Sequence, residues 1–304
     1  MKSMIIKTLV AATLMMASAI AGFSQTRSVE HDFSPFDAIE ASSGFKVSTT
    51  ASDSYAVKLT IDDILESYVE CYVKAGTLHI SLDDKSIPKD LKRQYKGRNS
   101  ADPTLVAIVY MPTLKSITLN DNSEFFNSPN FSGDNFNVTL NGTSKISDMK
   151  IVAKTVNVNL TKNAQFTNAN ITTEGDLAIN IEGKSSLSVN CAAENLLMTT
   201  TGSSEASVNC KIERKVDLTV GSSSKTTLKG SSGSFELDGK GISAKVDAIG
   251  MPAKNVVISL SGADASVAPT GSIELDLGKG AEITYSGDPS VKIVKIQNAT
   301  VLRQ

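Results

Sequence analysis

Two cysteines close near-identical phrases, Ser188-Val189-Asn190-Cys191 and Ser207-Val208-Asn209-Cys210, 19 residues apart. If the chain coils with that period, the thiols stack on neighbouring strands about 4.8 Å apart. That separation permits a disulfide, but parallel in-register strands point the two Cβ atoms unfavourably for one. The pair therefore reads as two buried free thiols, even in an oxidising compartment. Neither phrase has a histidine nearby to generate a thiolate, which argues against a catalytic cysteine. Cys71 stands alone.

Other reactive side chains are scattered. His31 lies in what reads as the frayed N-terminus of the mature chain, and His79 occupies an outward position between Leu78 and Ile80; both read as solvated side chains rather than ligands. Asp62-Asp63 and Asp83-Asp84 are paired carboxylates, yet each pair flanks a strand end, where aspartate commonly starts a turn. No calcium-loop spacing surrounds them. Gly239-Lys240-Gly241 and Gly278-Lys279-Gly280 open no helix and lack the Lys-Ser/Thr of a phosphate loop, so they read as turns. The dense basic segment runs from Lys85 to Arg98 in a loop carrying Pro88 and Pro103. Its Lys92, Arg93 and Lys96 are the candidate contacts for an anionic glycan or lipid surface; the ordinary reading is a solvated mobile loop. No catalytic, cofactor or metal-binding set emerges.

Composition narrows the classes further. The 304 residues are 40% hydrophobic and 20% charged, an ordinary globular balance that can bury a core. A net charge of -2 excludes a whole-protein basic footprint for nucleic acid, and 5% aromatics with no tryptophan removes stacking platforms. Lys2 and Lys7, the apolar run Thr8 to Ile20, and small residues at Ala19, Ala21, Gly22 and Ser24 predict a cleaved secretory signal peptide over 1–24. No later window is long and apolar enough to span a bilayer. The expected product is exported: periplasmic, on the outer surface, or secreted.

These side chains must be positioned by a repeat. From residue 117 onward, a short alternating strand, a polar Gly/Asn/Ser/Lys turn and another short strand recur, as in Ile117 to Ser123, Val138 to Ser144 and Ile179 to Ser185. The last apolar positions before the turns are 119, 140, 160, 181, 200, 220, 260 and 277, with Asp238 at a degenerate copy. Period-2 alternation predicts strands with one buried face, and a spacing near 20 predicts stacked coils. The expectation is a right-handed parallel β-helix (β-solenoid) over 112–304, of nine coils and on the order of 40 Å. An antiparallel sandwich is the competing fold, but it does not predict the same turn every 20 residues. Proline is missing between Asn130 and Met251, as inner strands require. Phe125, Phe126, Phe131 and Phe136 are expected in the core of the first coils. Stacked turn residues such as Thr143, Lys184, Ser203 and Ser223 form a polar edge able to bind carbohydrate or simply to solvate the turns. Residues 30–111 hold longer strands and read as an N-terminal β section that caps the open coil end. Val291 to Leu302 reads as a last strand.

The phrase Phe36 to Val47, with Val73 to Ile80 and Tyr110 to Ile117, resembles the head GIN domain of auto-transporter adhesins from Bacteroidetes-type bacteria. The resemblance covers about residues 33 to 300. It implies an exported, adhesin-like β-solenoid and brings no catalytic residues with it. The function expected is a non-enzymatic envelope or surface scaffold that binds a glycan or a cell-surface or matrix protein. The alternatives are a β-helix polysaccharide lyase or hydrolase, which needs clustered carboxylates or Arg/Lys on one face, and a periplasmic sensor or assembly factor.

Overall fold

The computed structural model describes residues 25–96, 102–126 and 131–304, so the expected signal peptide and Arg98 lie outside the described residues. About 70% of the chain is strand, wound as a β-solenoid of about 9 turns with coils of about 20 residues. In chain order the first strands are β1 (Thr26–Asp32), β2 (Ala38–Ala41), β3 (Lys46–Ala51) and β4 (Ala56–Asp62). A 3-10 turn over Asp63–Tyr68 leads to β5 (Val69–Lys74) and β6 (Thr77–Leu82), then to helix α1 (Lys89–Lys96) and β7 (Leu105–Met111). The coils continue through β8 (Ser116–Leu119), β9 (Glu124–Phe125), β10 (Phe131–Gly142), β11 (Lys145–Ser147), β12 (Lys150–Lys162), β13 (Gln165–Thr173) and β14 (Asp176–Ile181). Longer strands that bend around a whole coil follow: β15 (Ser186–Thr200), β16 (Glu205–Gly221), β17 (Lys225–Lys240), β18 (Lys245–Ser261) and β19 (Asp264–Gly278). The last coil is β20 (Glu282–Tyr285), β21 (Ser290–Gln297) and β22 (Thr300–Arg303).

The alternation in the sequence becomes a set of core columns. Leu119, Leu140, Leu160, Ile181, Thr200, Val220, Gly239, Leu260 and Leu277 are successive register partners on parallel strands. At the degenerate copy the column passes through Gly239, one residue beyond the expected Asp238. A Cβ on Gly239 would lie 2.5 Å from Leu260 Cδ2, so Leu260 fills the space that a larger residue would occupy. All pairings among β8 to β22 are parallel, which excludes the sandwich.

A second column explains the serine in each repeated phrase. Ser123, Ser144, Ala164, Ser185, Ser204, Ser224, Ala244, Ala263 and Ala281 are all buried at the inner corner of the turns. Only small side chains fit there, and the hydroxyls of Ser144, Ser185, Ser204 and Ser224 donate to carbonyls in the same turn or the coil beneath, as Ser185 to Glu182 O at 2.8 Å and Ser224 to Thr200 O at 3.1 Å. Their neighbours Thr143, Lys184, Ser203 and Ser223 are exposed, and their N–H groups bond the turn below, as in Ser223 N to Gly202 O at 2.8 Å. Phe125 and Phe136 are buried as expected, whereas Phe126 is exposed.

The N-terminal section departs from a cap that merely precedes the stack. β2 runs parallel between β6 and β8, and β3 runs parallel between β7 and β9. The coil the chain makes first is thus slotted between a coil made later and the coil at 116–125. Among the described residues antiparallel pairing is confined to this end: β4 lies on β7, β5 on β6, and β1 on β4. Leu65 in the 3-10 turn and Ile87 are buried beneath these strands. At the other end, the expected single strand over Val291 to Leu302 is two, β21 and β22, turning at Asn298 with φ 54°.

Candidate binding surface

The expected basic loop is helical. Leu91 of α1 packs against the core, which fixes the helix. Lys92 Nζ lies 3.1 Å from Asp84 Oδ2 and Arg93 pairs with Asp90 at 3.5 Å, so neighbouring carboxylates offset part of the field that was to attract an anion. Lys96 is the last residue of the helix. The Asp83 carboxylate does start a turn, accepting from Ser86 and from Lys85 N, whereas Asp62 precedes the 3-10 turn without capping it by its side chain and accepts instead from the distant Thr104 N at 3.3 Å. The Ser86 hydroxyl, then local backbone N–H groups, hold the Asp83 carboxyl below its usual range. His79 is better anchored than a solvated residue. Its ring stacks on Tyr72 at 5.0 Å, and Nδ1 lies 3.3 Å from Glu40 Oε2.

Stacking also creates a cluster that linear spacing conceals. Asp217 on β16 and Glu236 on β17 are register partners, and Lys215 reaches both, at 3.2 and 2.5 Å. The Glu236 and Asp217 carboxylates raise the Lys215 pKa. Asp238 and Lys240 pair beside them at 3.1 Å.

The most regular polar feature is an asparagine ladder. Asn170, Asn190 and Asn209 are partners on β13, β15 and β16. Asn190 Nδ2 donates to Asn170 Oδ1 at 3.3 Å, and Asn209 Nδ2 donates to Asn190 Oδ1 at 3.1 Å. The middle amide, Asn190, thus spends one N–H and one lone pair on the ladder, and a carboxamide has another of each to offer solvent or a ligand. The three side chains are exposed along a groove of about 380 Å³, also lined by Thr172 and Lys211. Its floor includes Cys191 and Cys210.

Here the reading of two free thiols is overturned. The cysteines are register partners, their Cα atoms lie 4.4 Å apart, and the sulfurs are bonded as a disulfide. The strands bend beside this point, with a register shift between Ala193 and Asn195, so they do not keep the flat parallel geometry on which that reading rested. The next position in the column is Gly230, at φ 113°, whose added Cβ would meet Cys210 O at 1.9 Å. Only glycine fits above the bridge. Cys71, on β5, is unbonded and half-buried, and burial pushes its thiol up to about 12.

With the geometry described, likeness to known proteins becomes informative. The chain matches the family model described as "Putative auto-transporter adhesin, head GIN domain" over residues 35–213 and again over 167–289. It belongs to this family. The two overlapping matches fall on one uninterrupted stack of coils. A solved "putative adhesin" from Parabacteroides merdae is similar at 16% identity and a TM-score of 0.52, covering 92% of this chain and 96% of that one. A "putative adhesin" from Parabacteroides distasonis gives 16% identity, a TM-score of 0.49, and coverage of 92% and 98%. A "putative lipid binding protein" from the same species gives 19%, 0.47, and coverage of 92% and 96%. The first of these supports the solenoid fold. No curated protein matches. Among the described residues no helix is long and apolar enough to cross a membrane, and no group of His, Cys, Asp and Glu is arranged to hold a metal ion.

Proposed function

We propose that this protein is an exported, non-enzymatic surface scaffold that binds a glycan strand along the asparagine ladder. The observation that carries this reading is the row of hydrogen-bonded amides at Asn170, Asn190 and Asn209 beside an open groove. A ladder already bonded along its own axis holds its side chains in one rotamer, so a ligand meets donors and acceptors whose ordering cost is already met. The spacing of about 4.8 Å between strands is close to that of one sugar residue. Lys211 at the groove wall favours an acidic sugar. The family description supports the adhesive role.

The test is a glycan array with the purified protein, paired with cell fractionation. Binding of an extended, preferably acidic, polysaccharide is expected, and Asn190→Ala with Asn209→Ala should weaken it at least tenfold. Retention inside the cytoplasm, or binding indifferent to both substitutions, would count against the reading. Neutralising Lys92 and Arg93 separates a site on α1 from this one: loss there, with the ladder variants unaffected, would move the site to α1.

A further inference from the structure

The asparagine ladder runs into a lysine at each of its ends. Lys150 on β12 is the register partner of Asn170, and Lys229 on β17 is the register partner of Asn209. Lys150, Asn170, Asn190, Asn209 and Lys229 therefore form one outward column across successive coils. All of these side chains are exposed. Beyond Lys229 the column loses its side chains. The next partner is Gly250, and β18 then shifts register against β19 between Ala248 and Ala253. A Cβ on Gly250 would lie 3.1 Å from Lys229 Cγ, so glycine there leaves room for the lysine stem.

Charge along this strip has one sign. Lys211 occupies the outward position after Asn209, on the groove wall. At the margins charges cancel: Arg214 pairs with Glu194 at 2.9 Å, and Lys225 with Glu205 at 3.2 Å. Among the described residues Lys150, Lys211 and Lys229 form no ion pair. Neither their column nor the adjoining one, Val152, Thr172, Ala192, Lys211 and Ser231, holds a carboxylate. Further along β16, by contrast, Lys215 is tied to Asp217 and Glu236.

We propose that Lys150 and Lys229 are the end contacts of the ladder site and set its specificity. They select a polyanionic glycan about five sugar residues long in its bound stretch, with a carboxylate or sulfate on the sugar at each end. The assignment rests on the glycan-binding reading of the ladder and adds to it a length and the positions of the acidic groups. The two lysines are four strand steps apart, roughly 19 Å at about 4.8 Å per step. With about one sugar per strand, an acidic group on the first sugar meets Lys150 and one on the fifth meets Lys229. The sugars between them lie on the three amides. A lysine ammonium is a compact charge on a flexible stem, which suits either anion. One exposed ion pair contributes little by itself. Two on one scaffold act on the same chain, so once the first forms the second is intramolecular. Affinity then climbs in a step when the strand becomes long enough to reach both lysines.

Titration calorimetry of the purified protein tests this with oligogalacturonates and oligoalginates of graded length, and with neutral cello-oligosaccharides as the reference. Affinity for the acidic series is expected to rise at least tenfold between three and six sugars and to fall with added salt, whereas the neutral series does neither. Lys150→Gln and Lys229→Gln should each weaken binding of the longer acidic oligomers at least fivefold and remove the length step. Both side chains are exposed, so the unfolding midpoint should stay at the parent's value. If Asn190→Ala and Asn209→Ala abolish binding while both lysine variants keep the parent's affinity and length step, the end contacts are wrong and the ladder reading stands. Equal affinity for acidic and neutral oligomers would overturn the end contacts in the same way. If no oligomer of either series binds, the ladder reading falls and this proposal falls with it.

Discussion

The head and tail of this solenoid solve the same physical problem in opposite ways. Both must deal with strand edges and a core column that would otherwise end in water. At the head, β4 and β5 fold back antiparallel over β7 and β6, the 3-10 turn inserts Leu65, and β2–β3 is threaded between coils made later. At the tail the chain simply completes a coil, leaving Ile293 and Val294 more than half exposed. The head is closed by contacts distant in sequence, the tail only by its immediate predecessor. A one-dimensional stack predicts that such a tail frays first, because each coil depends on its neighbours alone. The interlocked head should unfold as a unit.

Substitutions can break or sharpen this contrast. The largest effect is expected at Phe45, fully buried where the first coil is threaded. Phe45→Ala should cost about 3–5 kcal/mol in denaturant unfolding, measured as a lower midpoint. A loss below about 1 kcal/mol would mean that the head is not the stable unit. Next comes the bridge between the two ends. It closes 19 residues, so Cys210→Ala, or reduction of the parent, should cost about 3 kcal/mol. Hydrogen exchange should then show the coils from β16 onward opening before β2 to β9. Gly230→Ala forces a positive φ and a clash on the adjacent coil, and should cost about 1–3 kcal/mol without touching the bridge.

Cys71 reports on the head through its ionisation. Its folded pKa is pushed up to about 12, from an ordinary value of 9.0, by burial, which disfavours the thiolate. A raised pKa means the unfolded chain loses the proton first, so the contribution is intact below about pH 9 and is lost as pH rises from 9 towards 12. The parent should resist alkylation at pH 8 until denatured, and Cys71→Val should remove that part of the alkaline loss of stability. Rapid native labelling would show that β5 is not seated on β6. The smallest effect belongs to the tail: Ile293→Ala should change monomer stability by less than about 0.5 kcal/mol, against several for Phe45→Ala.

Much of the fold was legible because stacking leaves a periodic trace. Leucine or isoleucine at 119, 140, 160 and 181, each followed by a polar turn and a small residue, repeats the same burial at the same height. Even the failure at Asp238 is slight, since Gly239 takes the core position and Leu260 fills the space. The head was less legible. Ile39, Leu78 and Ile117 share one column although they are far apart in sequence, and no period announces the threading. The site was the least legible part. Asn170, Asn190 and Asn209 look like ordinary polar positions of separate strands, and Lys215, Asp217 and Glu236 look unrelated until β16 and β17 are stacked. The repeated Ser-Val-Asn-Cys phrase was the one signal that placed Asn190 beside Asn209 in advance.

What the sequence by itself determined was local and periodic: strands by alternation, turns by glycine and asparagine, and a coil length by their recurrence. Those properties follow from backbone geometry and from which side of a strand each residue occupies. What only the tertiary structure decided was vertical register and order, namely which coil lies on which. Register couples the cysteines as a disulfide, lines the amides into a ladder and sets the Lys215 cluster. Order threads the head and leaves the tail open. Each depends on contacts between residues about 20 or more positions apart, whose energies are invisible until the chain has closed on itself.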